Sequence, residues 1–264
     1  MQLLATSPEV VLDRRYPQGE YRYLSYCARA ASFMMRPPHP TNDPGTNELF
    51  FGSDDRFGPL PFDPQSLDRA DLEPAMVAGL WSAFSAGFAV HQPNARWYAE
   101  KLAVRVQPLI DAGIPLRVID CLRDPRDVLT SIRAFTASSG IMAFGQRSGD
   151  TESEYLERFT GAITDQLDEM AATAPSVDRI TVRYEDFAQD IEGLARRLEE
   201  WLGISLDATA IARTHDAMAH HRTTASVDAS INRWTRELPP SQAEQIWTAV
   251  GGRLAAYGYT ARPA

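Results

Sequence analysis

Leu80, Trp81, Phe84 and Phe88 recur at helical spacing in the stretch ADLEPAMVAGLWSAFSAGFAVHQ, which predicts a helix with these side chains in a core. YRYLSYCARAASFMM is a second helix-like run, and AVRVQPLIDAG a third, closed by Gly113. RWYAEKL reads as a short strand or edge ending at Lys101, and PLRVIDCL as a strand with Cys121 inside it, buried. DPRDVLTSIRAF then opens a helix with Asp124 as N-cap, Pro125 at the first helical position and Asp127 in the first turn. After a polar, glycine-containing loop, EYLERFTGAITDQLDEMAATA is helical, RITVRYEDF is a strand, and IEGLARRLEEWLG is a helix with Ile191, Leu194, Leu198 and Trp201 on one face. An amphipathic helix carrying Ile246, Val250 and Leu254 ends the chain.

Strands alternating with helices predict an α/β fold, a parallel sheet flanked by helices whose ligands sit beyond the carboxyl ends of the strands. No repeat or linker divides the chain, so a single domain over 1–264 is expected. Within it, Pro37, Pro38, Pro40, Pro44, Pro59, Pro61 and Pro64 exclude regular helix or central strand from 37–66, a proline-rich insertion or lid. Residues 138–154 are expected to form a flexible loop.

Composition narrows the function. A formal charge of −9 argues against a nucleic-acid or anionic-membrane binder working through a broad basic face, so any anion site must be local. Lys101 is the only lysine beside 25 arginines. Cys27 and Cys121 make neither a disulfide framework nor a metal site, and a reducing compartment fits. No apolar run reaches the length of about 18 residues that spans a bilayer, and a cytoplasmic protein is expected.

VIDCLRDPRDVLTSIRAF sets Arg123 at the end of a strand and before a helix N-terminus, where unpaired N–H groups and the helix dipole already favour an anion. Its planar fork suits two phosphate oxygens, and Ser131, two turns on, could add a hydroxyl. The competing reading is a good helix cap among solvated surface arginines; this stretch alone leaves the two even. It resembles the 3′-phosphate-binding strand and helix of sulfotransferases that use 3′-phosphoadenosine 5′-phosphosulfate. RWYAEKL, ITVRYEDF and HRTTASVDASINRWTREL resemble, in order, that family's lysine segment, its adenine-side tyrosine strand and its cofactor-closing loop.

The resemblance implies a P-loop NTPase-like sulfotransferase architecture. It also implies that Arg123 and Ser131 hold the 3′-phosphate, Tyr184 lies against the adenine, Thr223 and Arg233 contact the nucleotide's phosphates beside Trp234, and Lys101 faces the sulfuryl group. For the base, related tyrosine-modifying enzymes point to Asp13 and Glu20; members that use a histidine point to His91. Asp13 beside Arg14 and Arg15 also reads as a surface ion pair, and His215, His220 and His221 as polar loop residues. No metal is implied.

The family's initial strand and glycine- and serine-rich 5′-phosphosulfate loop have no counterpart here. MQLLATSPEV resembles the end of the helix that follows them, and the RSGDT in FGQRSGDTES follows no strand. The expectation is an N-terminally truncated domain: either Met1 is internal to a longer reading frame or the protein is a degenerate remnant. A catalytic sulfotransferase acting on a sugar, lipid, peptide or phenol hydroxyl thus stands beside a non-catalytic module that binds adenosine 3′,5′-bisphosphate or serves as an interaction module. A kinase is disfavoured, because no G-K-S/T occurs.

Overall fold

The computed structural model describes residues 1–12, 22–34, 69–102, 104–142, 144–214, 224 and 228–262. In chain order the elements are β1 (Val10–Val11), α1 (Tyr23–Met34), α2 (Arg69–His91), β2 (Trp97–Tyr98), α3 (Gln107–Asp111), β3 (Arg117–Leu122), α4 (Pro125–Ser139) and α5 (Glu152–Thr173). There follow β4 (Asp178–Arg183), α6 (Tyr184–Gln189), α7 (Ile191–Leu202), α8 (Ala208–Thr214), α9 (Trp234–Glu237) and α10 (Pro240–Leu254). The fold is α/β and helix-rich, with small parallel sheets. The described residues form two compact units, one of 1–9 with 117–262, the other of 10–12 with those between 22 and 116.

In the first unit β3 and β4 pair in parallel, from Arg117 opposite Asp178 to Leu122 opposite Arg183. Parallel neighbours require a crossover, here supplied by α4 and α5. Asp124 caps α4 by accepting the N–H of Arg126 at 2.9 Å, and Gly140, at φ +67°, closes it in the left-handed conformation that glycine tolerates. One core gathers Leu122, Leu129 and Ile132 with Leu156 and Phe159 of α5 and Ile246, Val250 and Leu254 of α10. A second core sets Val182 against Leu194 and Leu198 of α7, with Ile191 and Trp201 packed partly buried beside them, as the periodicity predicts.

The interior of β3 departs from expectation. Cys121 is exposed, not buried. It faces the same side of the sheet as its register partner Val182, but the α7 core gathers around Val182 and does not include the cysteine.

In the second unit β1 pairs in parallel with β2, and Val77 of α2 packs with Leu24, Cys27, Ala31 and Leu109. Leu80 and Phe84 do not join that core as their spacing suggested. They are exposed, while Trp81 and Phe88 are half-buried. Apolar residues are scattered all round α2, so no single face of the helix can bury them all. Phe84 and Phe88 lie instead against Tyr23, with ring centroids 4.9 and 5.3 Å away, and Phe88 stacks on Tyr98 at 5.2 Å.

Candidate functional site

Arg123 follows β3 directly, at the joint with α4, and its guanidinium turns inward. Its carbon lies 4.3 Å from the ring centre of Tyr184, and Nη2 donates to the Ser230 carbonyl at 2.8 Å. Nε is buried and has no hydrogen-bond partner among the described residues. A buried N–H left without an acceptor is costly, and its position beside a helix N-terminus suits an anionic oxygen. Tyr184 opens α6 and does not lie in the strand, because the extended backbone ends at Arg183; its hydroxyl meets Ser230 Oγ at 3.0 Å. The carboxyl ends of two adjacent parallel strands and the 228–238 segment therefore converge on Arg123 and Tyr184, the place where an open parallel sheet binds ligands.

The arginines at this joint are not all solvated charges. Arg126 is only 3% exposed. Its guanidinium pairs with Asp124 at 2.6 Å, donates to the carbonyls of Thr260 and Ala261 at 2.7 Å, and lies 3.8 Å from the centre of the Trp234 indole. The cation on Trp234 is thus Arg126. Arg233 is itself buried and donates from Nε to Glu237 at 2.6 Å. Glu185, also buried, accepts from the Asp124 N–H at 3.3 Å and from the Tyr259 hydroxyl at 2.9 Å, tying the joint to the end of β4 and the C-terminal segment. Burial, then the charge of Glu185 and their hydrogen bond, hold the Tyr259 phenol far above its ordinary range.

Asp127 is the other residue that sequence reasoning undervalued. It is 1% exposed, and its two carboxylate oxygens accept the N–H groups of Asn232 and Trp234, each at 2.8 Å. Burial, with Asp124 close by, pushes its carboxyl up to about 6 against the lowering influence of those two N–H groups and Arg123. Its only signal in the sequence was a place in the first turn of a helix, where an acidic residue ordinarily needs no partner beyond the dipole.

The remaining predicted residues fall as follows. Ser131 is half-buried on α4. Lys101 belongs to the second unit and is exposed just beyond β2. The preceding Glu100 is anchored to α1, accepting the N–H groups of Leu24 and Ser25 at 2.8 and 3.0 Å, the Ser25 hydroxyl at 2.8 Å and the Tyr98 hydroxyl at 2.7 Å. His91 is the exposed last residue of α2. Asp13, Glu20, Thr223, His215, His220, His221 and the 37–66 segment lie outside the described residues. The RSGDT stretch is a turn leading into α5: Asp150 accepts the Arg147 N–H at 2.7 Å, and Thr151 and Glu154 form a reciprocal cap. Among the described residues no three His, Cys, Asp or Glu side chains form a group able to hold a metal ion, and no helix is long and apolar enough to cross a membrane.

The sequence model of the sulfotransferase family matches residues 53–208, more than half of the chain, and the chain belongs to that family. The matched span contains Lys101, Arg123, Ser131 and Tyr184. No curated protein and no solved structure matches the chain.

Proposed function

We propose that the protein transfers a sulfuryl group from 3′-phosphoadenosine 5′-phosphosulfate to an acceptor hydroxyl, with the 3′-phosphate held at Arg123. The observation that carries this reading is the place of the Arg123 guanidinium, over the Tyr184 ring and immediately before the α4 N-cap, with a buried Nε that has no hydrogen-bond partner among the described residues. Arg123 and Ser131 bind the 3′-phosphate, Tyr184 flanks the adenine, and Arg233 and Thr223, beside Trp234, serve the remaining phosphates. The donor supplies an activated sulfur: its bond to the 5′-phosphate oxygen breaks as a bond to the acceptor oxygen forms, and the bisphosphate leaves with the electron pair. Lys101 neutralises charge on the transferring oxygens, and Asp13 or Glu20 takes the acceptor proton. Such a reaction asks the protein chiefly for positioning and cations, as phosphoryl transfer does.

Isothermal titration of adenosine 3′,5′-bisphosphate into the wild-type chain and Arg123→Ala tests the assignment. Charge-assisted bonds worth about 1.5–3 kcal/mol predict a roughly 10- to 100-fold loss. Equal affinities refute the phosphate role. Transfer itself is read with radiolabelled donor against phenol, alcohol and sugar acceptors, where Lys101→Ala should abolish turnover while sparing bisphosphate binding.

A further inference from the structure

The two N–H groups held by Asp127 belong to one short turn, which also carries the contacts around the nucleotide residues. Ser230 in that turn offers its carbonyl to Arg123 and its hydroxyl to Tyr184. Arg233 and Trp234 follow. Between Ser230 and Arg233, Asn232 sits at φ +53°, a backbone conformation uncommon for side-chain-bearing residues but one that asparagine adopts more readily than most. The restraint is visible: the N–H of Asn232 is taken by Asp127, and its carbonyl accepts the Thr235 hydroxyl at 2.8 Å.

We propose that Asp127 is a positioning residue of the nucleotide site, its carboxylate latching the 230–234 turn to the start of α4 and so setting Ser230 against Arg123 and Tyr184. The proposal rests on the nucleotide role given to Arg123 above. An ionised carboxylate offers each of the two N–H groups a charged acceptor oxygen. An asparagine amide replaces one of those oxygens by an NH2 donor, and protonation removes the charge and leaves a hydroxyl oxygen as the weaker of two acceptors. The charged groups about Asp127 are Asp124 and Arg123 at the strand–helix joint. Arg126 is paired with Asp124, and from the tail segment Asp127 meets main-chain N–H groups while the Arg233 Nε pairs with Glu237. With its carboxyl raised to about 6, the latch holds both N–H groups by charge-assisted bonds above that pH and by weaker neutral ones below it.

The test uses the full chain and adenosine 3′,5′-bisphosphate, titrated from about pH 5 to about pH 8. Asp127→Asn should bind about 10-fold more weakly at neutral pH, from the loss of one charge-assisted bond. It should also lack the step near pH 6 that the wild type shows beyond the nucleotide phosphate's own titration, which both proteins share. Asp127→Glu, which keeps two acceptor oxygens, should recover part of the affinity. Amide hydrogen exchange should quicken at Asn232 and Trp234 in Asp127→Asn and stay unchanged in β3 and β4. If Arg123→Ala loses binding but Asp127→Asn keeps wild-type affinity and pH profile, the positioning role is overturned and the phosphate assignment stands. Equal exchange acceleration throughout β3 and β4 also overturns it, since the effect would then be general unfolding. Failure of the wild-type chain to bind overturns the assignment and, with it, this inference.

Discussion

Replacing Arg126 by methionine keeps most of the side chain's bulk and removes its charge. The structure gives the consequences. Asp124, 5% exposed, would keep the Arg126 main-chain N–H at 2.9 Å and lose the guanidinium that neutralises it. The carbonyls of Thr260 and Ala261 would lose their donors. Removing one member of a buried ion pair costs about 3–5 kcal/mol, because the other is left charged in a poor solvent. The lost stacking on Trp234, and on Trp247 at 4.9 Å, is worth roughly 1–2 kcal/mol, but it shares the same geometry and does not simply add. Methionine packed against two indoles returns a part of this. A net loss of about 4 kcal/mol, at a urea dependence of about 3 kcal/mol per molar, moves the unfolding midpoint down by about 1.3 M. Tryptophan fluorescence, to which Trp234 and Trp247 beside Arg126 contribute, follows the transition. Because the cost lies in the orphaned carboxylate, Asp124→Asn combined with Arg126→Met should be more stable than Arg126→Met alone. A midpoint shift below about 0.3 M, or a double variant less stable than the single one, would refute the reasoning.

Two further perturbations follow from the same kind of accounting. Glu100→Ala strips acceptors from the first turn of α1 and from Tyr98, so amide exchange at Leu24 and Ser25 should accelerate and stability should fall by about 1–2 kcal/mol. The Tyr98 phenol, held far above its ordinary range by burial and then by its bond to Glu100, should titrate lower in an ultraviolet pH titration. Asp127 has a native carboxyl pKa of about 6 against about 3.9 in an unfolded chain, so the folded state binds this proton more tightly. Its contribution to stability is greatest below about pH 4 and declines as pH rises towards about 6, and thermal melting against pH should lose that decline in Asp127→Asn.

Much of the architecture could be read from neighbours along the chain. Asp124-Pro125 marks the start of α4 because capping and proline preference act within one turn. The apolar stripe of α7 predicts its buried face because 3.6-residue periodicity is local. The place of Arg123 at the strand–helix joint was legible for the same reason, since strand end, arginine and helix start are consecutive. Leu80 and Phe84 were misleading: spacing places them on a helix but does not say whether another element covers them.

The order of strands and helices, the caps and the charged joint were therefore determined by the sequence itself, through interactions spanning a few residues. Tertiary structure alone decided that Arg126 is buried beneath the C-terminal segment, that Asp127 accepts the Asn232 and Trp234 N–H groups, and that the Arg123 guanidinium lies over Tyr184. The reason is desolvation. Whether a charge is surface decoration or part of a site depends on which distant carbonyls, amides and rings displace its water, and those partners, Tyr184, Trp234 and Ala261 among them, lie far away along the chain.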